Sequence, residues 1–300
     1  MRLESSMLEF YATPAPMTSL PFATMGDYLN DLPRDSAGAA ETVRGVLVHR
    51  DWAPLLGLKF DESRVEDQQL RPISEVVKRI VELHDAPLTV ERKFRDRMVG
   101  VCRHFATLHV ALLRHAGVPA RARVGFARYF DDGWGDHWIT EWWDGTRWVR
   151  TDPQVGTVAA QLLQLKFDPA DQPDGEFLTG AEAWLRCRAG EEDPNRFGIF
   201  DLRGLFFITT SITQDLAALN KIELLPWDGW GVTAGYGPGW EPTDAQLADL
   251  DALAELVRED DFDQLRKRFA EPDVAVPETI TSMYLGESTP ITLGPALLAV

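Results

Sequence analysis

Residues 100–126 read GVCRHFATLHVALLRHAGVPARARVGF, and residues 136–154 read DHWITEWWDGTRWVRTDPQ. In the first stretch Phe105, Leu108, Leu112, Leu113 and Ala116 recur at helical spacing. Gly117 followed by Pro119 supplies a stop, which predicts a helix from about Cys102 to Ala116. The period then changes. Residues 120–130 alternate small or apolar side chains with Arg in their first half, and residues 137–151 are dense in Trp, Ile, Thr and Val, the composition of strands. Asp144-Gly145 lies between these last residues and favours a two-residue hairpin turn. Helices followed by an antiparallel sheet make the expected fold class α+β.

The same residues carry candidate chemistry. A cysteine at a helix start meets unpaired amides and the positive end of the helix dipole, which stabilise a thiolate, so Cys102 is a candidate nucleophile. A nucleophilic thiol needs a base, and the base needs a group that fixes its tautomer. If Asp144-Gly145 is a two-residue turn, Trp143 pairs with Thr146 and every cross-strand pair sums to 289, so His137 faces Asp152. Directly opposed residues have Cβ atoms about 5 Å apart, within reach of a carboxylate-imidazole hydrogen bond. Cys187 lies mid-helix in AWLRCRAG without a nearby His and reads as a buried structural residue.

These stretches resemble the core of the transglutaminase-like superfamily of papain-type fold, in the manner of bacterial transglutaminase-like domain proteins. In that family a Cys opens a helix, a Gly-Val-Pro-Ala-Arg type of turn leads into a strand, and a His-Trp strand is joined by a hairpin to a strand ending in Asp-Pro. The resemblance implies a papain-like core with the nucleophile helix packed on an antiparallel sheet. It also implies Cys102 as nucleophile, His137 as general base and Asp152 as orienting acid, in a cysteine hydrolase or acyltransferase that needs no cofactor. Family members often take an oxyanion donor from an upstream Trp. Here that could only be Trp52, which no motif anchors and which reads as a core aromatic, leaving the Cys102 amide as the donor. An arylamine acetyltransferase-like enzyme shares the core, but its Arg-Gly-Gly before the nucleophile is replaced by Val99-Gly100-Val101, which argues against coenzyme A. A transglutaminase-like scaffold that only binds is the non-enzyme alternative.

Outward from this core, residues 72–84 place Ile73, Val76, Val77, Ile80 and Leu83 on one helical stripe. The segment 1–70 reads as an N-terminal arm and accessory segment, its first 40 residues extended. Residues 71–155 form the catalytic core, and 156–300 a mixed, partly helical extension packed on it and not independent. Thr179-Gly-Ala-Glu182 and Thr243-Asp-Ala-Gln246 fit capping boxes and predict helix starts. Residues 200–212, FDLRGLFFITTSI, read as a strand, with a short helix from Asp215 to Leu224. Residues 241–280 hold 12 acidic and 4 basic residues, the composition of a solvated amphipathic helix.

Composition sets the outer limits. With 45% hydrophobic residues in 300, the chain can bury a sizeable core, and a net charge of −17 argues against nucleic-acid binding. No segment approaches the ~18 apolar residues of a membrane span, the N-terminus lacks a signal-peptide pattern, and two cysteines cannot staple this length; the expected location is the cytoplasm. Cys102, His104 and His109 lack the carboxylate spacing of a metal site, so no metal is expected.

The expected partner is a peptide or small-molecule acyl substrate. Nine basic against two acidic residues between Glu91 and Arg128 would draw an anionic one, unless those cations pair internally with the acidic C-terminal helix. Five of the ten Trp crowd the hairpin, and Trp138 is a candidate substrate-binding residue. The segment WDGWGVTAGYGPGW (227–240) offers Trp227, Trp230 and Tyr236 either as a lid that helps choose the substrate or as a plug of the core.

Overall fold

The computed structural model describes residues 2–130 and 132–299. The fold is α+β. Two compact units divide the chain, and they do not follow chain order: the first comprises the chain up to Ala122 with Ile139–Gln172, the second Arg123–Trp138 with the chain from Pro173 on.

The first unit opens with α1 (Arg2–Ala12), α2 (Phe22–Met25), α3 (Ser36–Val46), β1 (Leu47–His49), α4 (Glu62–Val65), α5 (Ile73–Leu83) and β2 (Met98–Gly100). The segment expected to be an extended arm is thus largely helical. It is also seated on the unit's interior, since Tyr11 and Met17 are buried and the Tyr11 ring meets Trp148 edge-on at 5.6 Å. α5 appears where the apolar stripe predicted it, with Ile73, Val76, Val77 and Ile80 buried. Next comes α6 (Cys102–His115), which ends at Gly117 with φ of +77°, the left-handed conformation that glycine adopts at little cost. Every residue of α6 except His115 is buried, because α1, α3 and α5 all pack on it and Thr140 donates from the sheet to the Ala106 carbonyl at 3.3 Å. A helix covered on all sides needs no polar face, which is why its sequence is apolar well beyond one stripe.

The sheet is built from β3 (Ala120–Ala127), β4 (Trp134–Trp143) and β5 (Trp148–Thr151), with β6 (Phe177–Thr179), β7 (Phe197–Ile199) and β8 (Leu202–Arg203). Its order is β6-β3-β4-β7-β8, with β5 also on β4. The first unit holds the start of β3, the end of β4 and β5, followed by α7 (Thr157–Leu162). Within it Trp143 pairs with Trp148 and Thr140 with Thr151, so cross-strand pairs sum to 291, not 289. His137 and Asp152 are therefore not a directly opposed pair, and the β4-β5 ladder ends at Thr151. The cause is the turn. Asp144 precedes the bend instead of occupying it: its Oδ1 accepts from the amides of Thr146 and Arg147 at 2.7 and 2.9 Å, and its own N–H donates to the Arg147 carbonyl at 3.1 Å. An Asp that captures amides two and three residues on favours the leading position of a turn, leaving Gly145-Thr146 at its centre.

In the second unit β6 pairs antiparallel with β3, β7 runs parallel to the start of β4, and β8 returns antiparallel to β7. Gly125 is required where β3 meets β6, since a Cβ there would lie 2.0 Å from the Leu178 carbonyl oxygen. Helices α8 (Gly180–Arg188) and α10 (Asp244–Glu259) start at the two expected capping boxes, Thr179 with Glu182 and Thr243 with Gln246. Between them the chain departs from expectation: residues 200–212 are not a strand, and α9 (Leu205–Leu219) runs through most of them. Gly204, at φ of +123°, ends the short β8, and the threonines that suggested a strand bond backwards along the helix, Thr209 to the Leu205 carbonyl and Thr210 to that of Phe206. A short, continuously apolar run is equally the signature of a buried helix. The acidic C-terminal region forms α10 and α11 (Phe262–Phe269), burying Leu250, Leu253, Val257 and Leu265, beside a small sheet of β9 (Asp228–Gly229), β10 (Thr279–Ser282) and β11 (Thr289–Thr292).

Candidate active site

Cys102 is the first residue of α6 and is buried. β2 delivers it, running parallel to β1 with Gly100 beside His49, and Val101 stays extended before the helix begins. The entry is held by His104, one turn into α6. Its Nδ1 accepts from the Val101 amide at 3.2 Å, and its Nε2 lies 3.1 Å from the Leu70 carbonyl, which requires the Nε2–H tautomer. Burial, reinforced by Arg103, pushes the His104 pKa down to about 3, so this imidazole is a neutral structural bracket. Gly100 makes room for it, since a Cβ there would lie 3.1 Å from His104 Cβ. The chain thus presents a thiol at the positive end of a four-turn helix.

Asp152 lies in the same unit, buried just past the end of β5. Its Oδ1 accepts from the Gln154 amide at 2.9 Å, and its own N–H donates to the Pro169 carbonyl at 2.8 Å. Arg44 of α3 donates from Nη1 to the Pro153 carbonyl at 3.2 Å, which fixes the next peptide. His109 is buried on the same side of α6, with Nε2 3.0 Å from the Ser36 carbonyl, and desolvation pushes its pKa down to about 4.

His137 belongs to the second unit, in the first half of β4. It is buried, with Phe130 edge-on at 4.8 Å and Tyr129 at 6.1 Å. Its neighbour Asp136 is half-buried, and its carboxylate accepts no hydrogen bond from the described side chains. Desolvation raises the Asp136 carboxyl to about 7, with His137 opposing the shift. Trp138 is buried, and its Nε1 has no hydrogen-bond partner among the described residues.

The remaining sequence candidates are placed as follows. Trp230 is buried in the second unit and donates from Nε1 to the Val274 carbonyl at 2.9 Å, the behaviour of a plug. Trp227 packs on Tyr284 at 4.9 Å, and Tyr236 stacks on Trp240 at 3.9 Å while its hydroxyl accepts from Gln246. Burial, with Glu192 and Asp193 nearby, pushes the Cys187 thiol up to about 12, as suits an inert structural residue. Trp52 is half-buried on a 3₁₀ segment, its ring 6.1 Å from His49, and is not the core aromatic expected. No three His, Cys, Asp or Glu among the described residues converge as a metal site.

The basic stretch is not a free patch: Arg121 pairs with Glu141 at 2.8 Å, Arg123 with Asp215 at 2.8 Å and Arg97 with Glu91 at 2.8 Å, while Arg92 donates to a ring of carbonyls. These partners lie outside the C-terminal helices expected to supply them. Sequence reasoning passed over Arg44, His49 and Asp136. Only Asp136, adjoining the candidate base, carried a positional signal.

Residues 77–153 match the family model of the transglutaminase-like superfamily. The chain carries a transglutaminase-like core. Cys102, His137 and Asp152 all fall inside the matched residues of that core. No curated protein matches the chain. Among solved structures, one described as "a Putative Cysteine Protease from Cytophaga hutchinsonii" is similar at 19% identity and a TM-score of 0.18, over 46% of each chain. The chain therefore spans less than half the length of that protein. The transglutaminase-like superfamily is one of mainly cysteine-dependent enzymes, and the matched segment places a Cys at the head of α6.

Proposed function

We propose that the protein is a thiol-dependent acyl-transfer enzyme acting on an amide or ester. The observation that carries this reading is Cys102 as the first residue of α6, inside the segment that matches the transglutaminase-like family. In the proposed reaction His137 takes the thiol proton and the sulfur bonds to the substrate carbonyl carbon. The bond from that carbon to the amine or alcohol then breaks, and the leaving group takes the proton from the imidazolium. Water, or an amine, next attacks the acyl-enzyme, gives its proton to His137 and releases the acid, or the new amide, with the thiol. Asp152 holds the imidazole in the tautomer this requires and stabilises its protonated form. The internally paired arginines lend no support to an anionic substrate, so the substrate class is a peptide or small acyl compound without a charge requirement.

The test is alkylation by iodoacetamide between pH 5 and 9, resolved by peptide mass spectrometry. Cys187 serves as internal reference, because a thiol pushed up to about 12 stays protonated throughout. Cys102 is expected to label rapidly at pH 6, and His137→Ala is expected to slow it. A Cys102 that labels only above pH 8, or at a rate indifferent to His137→Ala, would turn the reading to a binding scaffold.

A further inference from the structure

The first unit contains a cavity of about 570 Å³ between α3 and the segment 151–170. Its walls include Ala37, Ala40, Ala160 and Gly156, whose small size opens the space. Its charged groups are less ordinary. Three buried arginines of this unit are engaged by a carboxylate or by two oxygens: Arg121 by Glu141, Arg97 by Glu91, Arg114 by the Ala120 carbonyl and Thr18. Half-buried Arg44 makes one hydrogen bond, from Nη1 to the Pro153 carbonyl, and forms no ion pair among the described residues. Desolvation lowers its pKa, with Glu41 and Asp152 opposing the shift, so the guanidinium has left water without an anion in contact.

Glu41 stands three residues earlier on α3 and lines the same cavity. Residues at that spacing are the natural ion pair of a helix surface, yet Glu41 and Arg44 are not bonded to each other, and Glu41 has no hydrogen bond or ion pair among the described residues. The Arg44 side chain lies against Gly156. A Cβ at Gly156 would lie 2.8 Å from its Nε and 2.9 Å from its Cδ, so the glycine is the space the guanidinium occupies.

An unpaired cation and an unpaired anion on one wall of a cavity complement a molecule carrying both charges. Asp152, Asp168 and Lys166 also line the space, so three carboxylates face two cations there, which disfavours a dianion such as phosphate, and the volume exceeds what a glycine-sized molecule fills. We propose that this cavity binds a free α-amino acid with an apolar side chain, its carboxylate on Arg44 and its ammonium on Glu41. The site is independent of the thiol reading, although it places its occupant next to Asp152.

The experiment measures binding of L-leucine to the full chain by calorimetry and by thermal shift at constant ionic strength, against acetate, butylamine and inorganic phosphate. L-leucine is expected to bind saturably and at least about ten-fold more tightly than acetate, butylamine or phosphate, because each of these meets only part of the site. Glu41→Gln, on the solvent-exposed rim, is expected to weaken L-leucine by about ten-fold or more, and Arg44→Gln likewise. Should Arg44→Gln fail to fold, Ala160→Phe, which fills the cavity from α7, is expected to abolish binding. No saturable binding of L-leucine, equal binding of acetate or phosphate, or an unaltered affinity in Glu41→Gln or Ala160→Phe would each overturn the proposal.

Discussion

Asp215 is wholly buried in α9 and joins that helix to β3. Its Oδ1 accepts from Arg123 Nε at 3.0 Å and from the Val124 amide at 2.8 Å, and its Oδ2 accepts from Arg123 Nη2 at 2.8 Å. Asp215→Ala removes a carboxylate from a buried guanidinium and the side-chain acceptor from the buried Val124 amide. Breaking a buried pair from one side costs about 3–5 kcal/mol, and an orphaned amide adds about 1 kcal/mol or more. A loss of ~4 kcal/mol or more at roughly 2–4 °C per kcal/mol lowers Tm by about 8–16 °C. The assay is guanidinium denaturation followed by tryptophan fluorescence, with calorimetry for Tm. The double variant Arg123→Met/Asp215→Leu removes both charges together and is expected to recover most of that loss, since a buried pair gains little over apolar residues of similar volume. An Asp215→Ala protein within ~1 kcal/mol of the parent, or a double variant no more stable than Asp215→Ala, would refute the reasoning.

Three further outcomes follow from the same structure. His104 and His109 are buried neutral, with pKa values of about 3 and 4 against about 6.5 when unfolded, so the unfolded chain binds protons that the folded one refuses. Stability is expected to fall as pH drops from about 6.5 toward 4, and His109→Gln should flatten the slope in denaturation series across that range. Asp136 has the opposite sign: a carboxyl raised to about 7 holds its proton in the folded state, so its contribution declines as pH rises from about 4 to 7, and Asp136→Asn should remove this trend in the same assay. Gly125→Ala is expected to separate β6 from β3 at a cost of at least about 2 kcal/mol, read as a lower denaturation midpoint, because the new methyl group would enter the Leu178 carbonyl.

The part of the fold legible in the sequence is the part governed by local rules. α5, α6 and the capped starts of α8 and α10 are where periodicity and hydrogen-bonding side chains put them. Residues 200–212 carry the composition of a strand yet lie mostly in α9, because threonine and isoleucine suit a buried surface as well as a strand, and Thr209 and Thr210 bond backwards along the helix. The hairpin failed by one position at its turn. The sequence marks Asp144-Gly145 as the bend, but the Asp144 carboxylate accepts the amides of Thr146 and Arg147, which moves the centre of the bend onto Gly145-Thr146. The register that would set His137 directly opposite Asp152 is therefore not the one the strands adopt.

The basic stretch between Glu91 and Arg128 shows why a local charge balance is a weak guide to a partner. Its arginines are separated in sequence from the acids that neutralise them, Glu141 for Arg121 and Asp215 for Arg123, so a window of sequence counts the cation and misses the anion. Arg121 further lies over the Trp148 ring at 4.3 Å, and Arg114 bonds the Ala120 carbonyl and Thr18, which makes both structural ties. A planar guanidinium with five donors can bind several fixed acceptors at once while remaining charged, which suits it to joining a helix to a strand in a protein interior. Beside such ties, the informative arginine is the one held by a single carbonyl. Arg44 stands outside the basic stretch, on a helix of ordinary composition, and its interest arises from the acceptors it lacks.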